Sequence, residues 1–533
     1  MTTNGLSTLQ EAVRSEESTR WEAAIREEIE NLKAHGTWQL VEPNQVAKGH
    51  VPITTRMTLV KKHDRNGKLT RYKGRLVAHG FKQRPGVNFD ETYALLVSLA
   101  AVRVALSYAA AMDLEIRQLD VIGACLESKI NETLYISFPK GLVREGNKII
   151  LDPGEFINGS REPAIDRLIW RIYGTRQAAV NWYKCFDEIL IRLGFMRSNA
   201  EAGIYMRGRL ILLIWVDDIL AIGMKEDVDK ITRELKEELN IKDMGELKEG
   251  TFLGMTVRRK CGDRRIYLGQ RGYINKILER FGMDKANEVS TPIENGVKFN
   301  KRETDEEKAD RQRYQELIGS VNYAAVATRA DITYAVGLLG LFALDLSTSH
   351  QLGTKRLLRY LKKTATFELC LGNRNVGTKA AIYADADYAG DLTEKLSTSG
   401  IVVRDRNGAT VAWKSTKQPI TTRSTAGAEF IATAMAMEFI LLSNLEKEFY
   451  RDHNDEPVPV DNDNEACVTN INSGDHQTQS HHAGVRYHRI RYRVRLGEAT
   501  LTHIPGDQMP ADSLTKGLDR TKHQTFLEFI GLR

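Results

Sequence analysis

Cysteine is scarce. Cys125, Cys185, Cys261, Cys370 and Cys467 stand far apart in 533 residues, and no two of them form a C-x-x-C pair. That excludes a disulfide framework and leaves no zinc knuckle legible in the sequence, so a reducing compartment suits the chain best. Long apolar runs are missing too. The longest, Leu210 to Val216, has seven residues, against the roughly 20 needed to cross a bilayer, and neither a membrane span nor a membrane partner is expected. The first twenty residues are polar and acidic, without the apolar middle of a signal peptide, and secretion is not expected. Charge is nearly balanced, 76 Lys and Arg against 70 Asp and Glu, so a surface for an anionic partner has to come from local clustering. No internal repeat or low-complexity tract occurs. What remains is ordinary globular composition, 42% hydrophobic and 27% charged, with length for three or four units at roughly 150 residues each.

Thr19 and Glu22 have the spacing of a capping box, and Trp21, Ile25, Ile29 and Leu32 follow at helical intervals until Gly36. This predicts an amphipathic helix over 19–35. "MTLVKKH" and "GRLVAHGF" read as strands joined by "DRNGK", whose Asn66-Gly67 suits a hairpin turn, and the hairpin is basic. Residues 99–112 read as a buried helix leading into the strand "EIRQLDV", and residues 210–223 as a hydrophobic strand-turn-strand. The charged, turn-prone stretch from Glu288 to Arg313 is the best linker candidate. Helices are expected over 314–363, and a strand-rich unit from near Thr378 onward.

The sharpest chemical feature is "ILLIWVDDILAIG", which sets Asp217 and Asp218 between two β-forming apolar runs. Like charges side by side near apolar strands repel and resist desolvation. A divalent cation relieves both problems, and magnesium or manganese suits ligands that are all oxygen. Asp also favours turns, and a pair at a solvated hairpin tip needs no metal, so this segment alone fits either reading. Asp120 in "RQLDVIGACL" ends another strand-like run, where it serves as a strand-end cap or as a third carboxylate of the same cluster. Three acids on neighbouring strand ends would hold two metals, the arrangement that serves phosphoryl transfer.

A second acidic set comprises Asp385 and Asp387 in "IYADADYAGD", Glu429 in "STAGAEF", Asp463 in "VDNDNEAC" and Asp512 in "PADSLTK". Alternation with Ala384 and Ala386 puts Asp385 and Asp387 on one side of a strand, and Glu429 opens a helix-like run. This is a second place for two metals, although plain surface acids are the alternative for Asp387 and Asp391, and periodicity does not join the four segments.

Taken in order, these segments resemble the reverse transcriptase and ribonuclease H portion of a copia-type LTR-retrotransposon Pol polyprotein. The resemblance runs from "RWEAAIREEIENLKAHGTWQLV" through "RYKGRLVAHGFKQRPGVNFDETY", "QLDVIGACL", "IYGTRQAAVNWY", "WVDDIL" and "YQELIGSVNYAAVATRADITYAVG" to "YADADYAGD", "STSG", "WKSTKQP", "STAGAEF" and "PADSLTK". It implies a multidomain α+β chain: a helical segment over 1–40, fingers and palm over 41–270, thumb and connection over 271–373, and a ribonuclease H-like α/β domain over 374–533.

The resemblance further implies that Asp120 and Asp217, with Asp218 beside them, ligate two magnesium ions, or manganese, in the palm. There a primer 3′ hydroxyl attacks the α-phosphate of a dNTP. Lys73 and Arg75 become triphosphate contacts, with a solvated or template-contacting hairpin as the other reading. Gly174 and Gln177 of "IYGTRQ" would position template or nucleotide. Asp385, Glu429, Asp463 and Asp512 would form the ribonuclease H quartet, also with two metals, and water as nucleophile. The implied partners are an RNA template, a DNA primer, the RNA:DNA hybrid and dNTPs, gripped mainly at phosphates and sugars. An oligomer, or other Pol and Gag products, would be further partners. Arg489 to Arg495 alternate as on a strand with one basic face, the family pattern suggests a helix there, and Arg486 precedes them; a merely solvated basic face is equally open. The four histidines from His476 to His488 come without a cysteine pair, and zinc is not expected there.

The chain departs from the family at several places. Trp215 replaces a Tyr before "VDD". Cys125 stands where an aromatic ring normally lies under the sugar, so a weaker barrier to ribonucleotides is expected. Leu95 and Ala330 replace prolines, Gly427 replaces the first acid of "TEAEY", and "HHAG" at 481–484 departs from "KHID". All seven acids nevertheless remain. The two readings are a competent polymerase with ribonuclease H and a decayed remnant that at most binds nucleic acid; an unrelated metal nuclease would explain one acid cluster but not both. With no recognisable protease, integrase or capsid segment, a fragment or truncated reading frame is expected. The resemblance points to cytoplasmic virus-like particles, with the nucleus as a further compartment.

Overall fold

The computed structural model describes residues 8–41, 45–47, 49–63, 69–83, 96–122, 129–145, 148–152, 165–170, 175–176, 178–299, 310–372, 380–391, 394–452, 456–472 and 489–533. Asn66-Gly67, Leu95, Cys125, Gly174, Gln177, Arg486 and the histidines from 476 to 488 lie outside these residues.

Helices α1 (Leu9–Arg14) and α2 (Ser18–Ala34) come first. The expected box at Thr19 and Glu22 does not form, because α2 begins a residue earlier and its N-cap, Glu17, makes no side-chain capping bond. The capping box heads α1 instead, at Thr8 and Glu11. Trp21, Ile25, Ile29 and Leu32 are buried as their spacing requires. They share a core with Met57, Leu59, Leu76, Ile136 and Leu168, so α2 packs on a sheet rather than standing apart.

That sheet draws on β1 (Trp38–Leu40), β2 (Ile53–His63) and β3 (Leu69–Ala78), then, after α3 (Leu99–Ala111) and β4 (Glu115–Val121), on β5 (Lys129–Ser137). The small hairpin β6 (Leu142–Glu145) and β7 (Lys148–Leu151) precedes β8 (Ile165–Trp170), and the sheet order is β1-β8-β5-β2-β3. At its β3 edge, Gly74 lets α2 approach: a Cβ there would sit 3.2 Å from the Ala24 carbonyl oxygen. The Leu76 amide donates to Glu28 Oε1 at 3.1 Å, which satisfies an edge N–H that would otherwise be buried unpaired.

The next unit holds α4 (Ala178–Arg192), β9 (Met196–Arg197), β10 (Ile204–Arg207), β11 (Leu210–Trp215), β12 (Asp218–Gly223), α5 (Lys225–Glu238) and β13 (Ile241–Glu246). The strands order as β13-β4-β12-β11-β10-β9. The seven-residue apolar run is explained by burial on both faces. Leu210, Leu212 and Ile214 join Trp182 and Phe186 of α4 and Val228, Ile231 and Leu235 of α5, whereas Ile211 and Leu213 join α3.

Then follow β14 (Glu249–Phe252), β15 (Met255–Lys260), β16 (Arg265–Gly269), α6 (Arg271–Arg280), α7 (Arg311–Ala327), α8 (Thr333–Gly340), α9 (Thr348–Lys363) and β17 (Glu368–Gly372). The four strands form one sheet in chain order, and the helices share a core. The first half of the expected linker is not a free tether: Thr291 and Ile293 are buried, and Arg356 of α9 donates to Glu294 and Thr291. Val289, Ile293, Val297 and Phe299 also pack on the core the helices share, but the segment forms no helix or strand whose period could be read from the sequence.

The last unit contains β18 (Ala381–Asp387), β19 (Thr398–Arg404), β20 (Thr410–Lys417), α10 (Thr425–Ala436), α11 (Ile440–Tyr450), β21 (Val458–Asn462), α12 (Glu465–Asn472), α13 (489–495), β22 (Ala499–His503) and α14 (Arg520–Ile530). The order is β20-β19-β18-β21-β22, antiparallel from β18 to β20 and parallel through β21 and β22. The described arginines lie on a helix, not on a strand with one basic face: Ile490 and Arg491 are buried and Arg493 bonds Glu498. By length and composition alone the run Thr425–Tyr450 is apolar enough to cross a membrane, contrary to the expectation from uninterrupted runs, but half of its most apolar window is buried inside the protein and it carries the buried Glu429 and Glu446.

Arg103 of α3 joins three units. Its buried guanidinium donates to Val411 O at 2.6 Å, Ala327 O at 2.9 Å and Val326 O at 3.1 Å, and lies 4.1 Å from the Trp413 ring centroid.

Candidate functional site

Trp215 and Asp218 pair across β11 and β12 and leave Val216-Asp217 as a two-residue turn. Val216 has φ 53°, a left-handed backbone that a β-branched residue rarely adopts. The turn is held from two sides: Trp182 Nε1 donates to Val216 O and the Val121 amide donates to Asp217 O, both at 2.8 Å. Asp218 pairs with Asp120 on β4, and Lys242 of β13 pairs with Asp120 from the other side. Directly opposed residues share a face of the sheet, so Lys242, Asp120 and Asp218 form a row.

Burial pushes the Asp217 carboxyl up to about 6; Arg75 and Lys73 pull it back, while Asp120 and Asp218 push it further. Burial and Asp120 also raise Asp218, against a long contact from Gln118 Nε2 at 3.5 Å. Lys73 and Arg75, which alternate on β3 with the buried Gly74 and Leu76, thus stand near enough to act on Asp217. Burial, with Arg75 next to it, lowers the Lys73 ammonium. Among the described residues Asp217 Oδ1 is a buried atom without a hydrogen-bond partner. An orphaned carboxylate oxygen beside two further carboxylates fits a hard divalent cation.

In the last unit Asp385 comes from β18, Glu429 from the first turns of α10, capped by Ser424, and Asp463 from the residue after β21. One ligand atom from each lies within 4.8 Å of the others. Asp512 sits in the 3₁₀ turn Pro510–Leu514, near enough to raise Asp385 and Asp463, and forms an ion pair with Lys516 at 2.8 Å. Burial is the first cause of the upward shift of both Asp385 and Glu429, and each second cause is another acid of the cluster. Four mutually repelling acids with two of them buried again fit divalent cations. Asp387 shares the strand face of Asp385 but is no member of the converging three, and Asp391 is paired with Lys417 at 2.6 Å.

Several residues near these acids escaped the sequence reading. Asn462, fully buried, donates to Glu429 Oε2 at 3.0 Å. Thr515 donates to Asp385 Oδ2 at 2.6 Å, and His503 Nε2 lies 3.2 Å from Asp463 O. Thr515 and Lys516 carried a signal, following Asp512 by a helical turn within "PADSLTK"; Lys242 carried none.

Residues 35–295 match the reverse transcriptase (RNA-dependent DNA polymerase) family. Over 98% of its length the chain is 33% identical to the retrovirus-related Pol polyprotein from transposon TNT 1-94 of Nicotiana tabacum, covering 39% of that protein. It is 32% identical to the one from transposon RE1 of Arabidopsis thaliana, covering 34% of it. A foamy viral protease-reverse transcriptase solved with double-stranded DNA is 12% identical with a TM-score of 0.47, covering 91% of this chain and 70% of that one, too loose a likeness to inform the chemistry. The family match makes residues 35–295 a reverse transcriptase segment, and over nearly its whole length the chain is similar to the Pol polyproteins of copia-type retrotransposons. It spans less than two fifths of the length of these two curated relatives.

Proposed function

We propose that the chain is an RNA-directed DNA polymerase with an attached ribonuclease H, one acid cluster serving each activity. The observation that carries this reading is the pairing of Asp120 with Asp218 beneath the pinned turn of Asp217, opposite Lys73 and Arg75. Asp120, Asp217 and Asp218 would hold divalent cations on one side, and Asp385, Glu429, Asp463 and Asp512 on the other. Bound there, magnesium makes an attacking oxygen more nucleophilic and offsets charge on the leaving one.

The protein's own groups do the rest. Trp182 and Val121 hold the backbone of the turn from which the Asp217 carboxyl projects. Lys73 and Arg75 supply fixed positive charge for the phosphates of a dNTP. Arg489 and Arg495, exposed on α13, would meet a nucleic-acid backbone without reading its sequence. Copying RNA leaves an RNA:DNA hybrid, and the second cluster removes its RNA strand, so the two sites act on successive forms of one molecule.

The test is primer extension on an RNA template with dNTPs and magnesium, both strands labelled. Extension lost only in Asp217→Asn and template cleavage lost only in Asp385→Asn is the expected result. A folded wild-type chain that does neither would make the decayed-remnant reading the better one.

A further inference from the structure

Each of the two buried carboxylates of the second cluster accepts from a buried neutral side-chain donor, and Glu429 accepts from the Ala386 amide as well. Thr515, with no exposed surface, has its hydroxyl 2.6 Å from Asp385 Oδ2 and 3.0 Å from Asp512 O. A hydroxyl has one proton to give, and the short contact to a carboxylate is the stronger of the two. Asn462 accepts the Asn464 amide on Oδ1 at 2.8 Å, which sets the orientation of its side-chain amide. Its Nδ2 then donates to Ala384 O and to Glu429 Oε2, both at 3.0 Å.

The backbone makes room for the first of these donors. Gly400 on β19 is the cross-strand partner of Asp385. A Cβ on residue 400 would stand 2.5 Å from Ala511 O and 2.8 Å from Thr515 Cγ2. The turn bearing Asp512 and Thr515 therefore occupies the volume a side chain at 400 would fill. One seated turn delivers both the fourth acid and the donor that orients the first.

We propose that Thr515 and Asn462 are positioning residues of this centre, each holding one oxygen of Asp385 or Glu429 so that the other is presented to a divalent cation. The proposal rests on reading the cluster as a metal centre. Donors that orient ligating carboxylates act through ligand geometry, and their loss typically costs 10–100-fold in metal affinity. Thr515→Val keeps the shape that fills the notch at Gly400 and replaces the donating hydroxyl with a methyl group. Asn462→Ala removes the donor to Glu429.

The experiment is a manganese titration of the full chain followed by electron paramagnetic resonance, with Asp385→Asn identifying the ions bound at this centre and thermal melts reporting the fold. The expected result is Mn²⁺ affinity about 10–100-fold weaker in Thr515→Val and in Asn462→Ala, with Thr515→Ser recovering most of the loss. Asn462→Ala tests the proposal by itself should Thr515→Val not fold. Folded variants that bind Mn²⁺ like wild type would overturn the positioning roles while leaving the metal centre standing. A wild-type chain with no Mn²⁺ sensitive to Asp385→Asn would overturn the metal-centre reading, and this proposal with it.

Discussion

Trp182 donates its indole N–H to the Val216 carbonyl at 2.8 Å, and through that single bond helix α4 governs the turn that carries Asp217. Trp182→Phe keeps an aromatic ring stacked on Phe186 and removes the donor. The loss of this partly buried hydrogen bond is expected to cost about 1 kcal/mol of stability. DNA synthesis should fall while hybrid cleavage stays unchanged, since Trp182 touches only the first cluster. Equal loss of both activities in steady-state assays would show that the bond serves general stability instead.

The raised Asp217 carboxyl gives the metal-free protein a pH dependence whose sign can be stated. Its folded value of about 6 exceeds the unfolded value of about 4, so the folded state binds the proton more tightly. The stability this contributes is full below about pH 4 and is lost as pH rises through about 6. In EDTA, the melting temperature of wild type relative to Asp217→Asn should therefore drop between pH 4 and pH 7. Magnesium should offset that drop at neutral pH. A difference that stays flat with pH would remove the basis for the shift.

Arg103 is a buried cation satisfied by three carbonyls and the face of Trp413. Arg103→Met leaves those carbonyls without their donor, at about 1–3 kcal/mol for each one left unsatisfied. Because they belong to β20 and the end of α7, the loss should weaken the joint between the first polymerase elements and the last unit. The midpoint of urea unfolding should fall, and both activities should decline together at elevated temperature.

Cys125 is small where the family resemblance puts an aromatic ring under the sugar. Cys125→Phe should sharpen discrimination between dNTP and rNTP in single-nucleotide incorporation. Unchanged discrimination would reject the idea.

Much of the local structure was legible from the sequence because it depends on period alone. Helix α2, the β11–β12 hairpin and the common strand face of Asp385 and Asp387 follow from spacings of 3.6 and 2 residues. The arginines of α13 misled in one of their two readings because alternation over so few residues fits either element. Burial of Ile490 and Arg491 in the tertiary core decided for the helix. The Thr19–Glu22 box failed for a related reason: the start of α2 is set by where its apolar face meets the sheet, and propensity is a weak prior against that.

By itself the sequence determined the candidate set, seven acids and a basic hairpin, and the short elements on which most of them ride. Only the tertiary structure decided how they meet. The register that sets Asp120 against Asp218 is a property of β4 and β12 packed between α3 and the helices α4 and α5. The convergence of Asp385, Glu429 and Asp463 needs β18, α10 and β21 on one core. The hydrogen bonds of Thr515 and Asn462 need the volume that Gly400 leaves open and the burial that excludes water. Side-chain periodicity reports which way a residue faces along its own element; which residue it faces is set by packing across the core, where volume and hydrogen-bond satisfaction choose the partner.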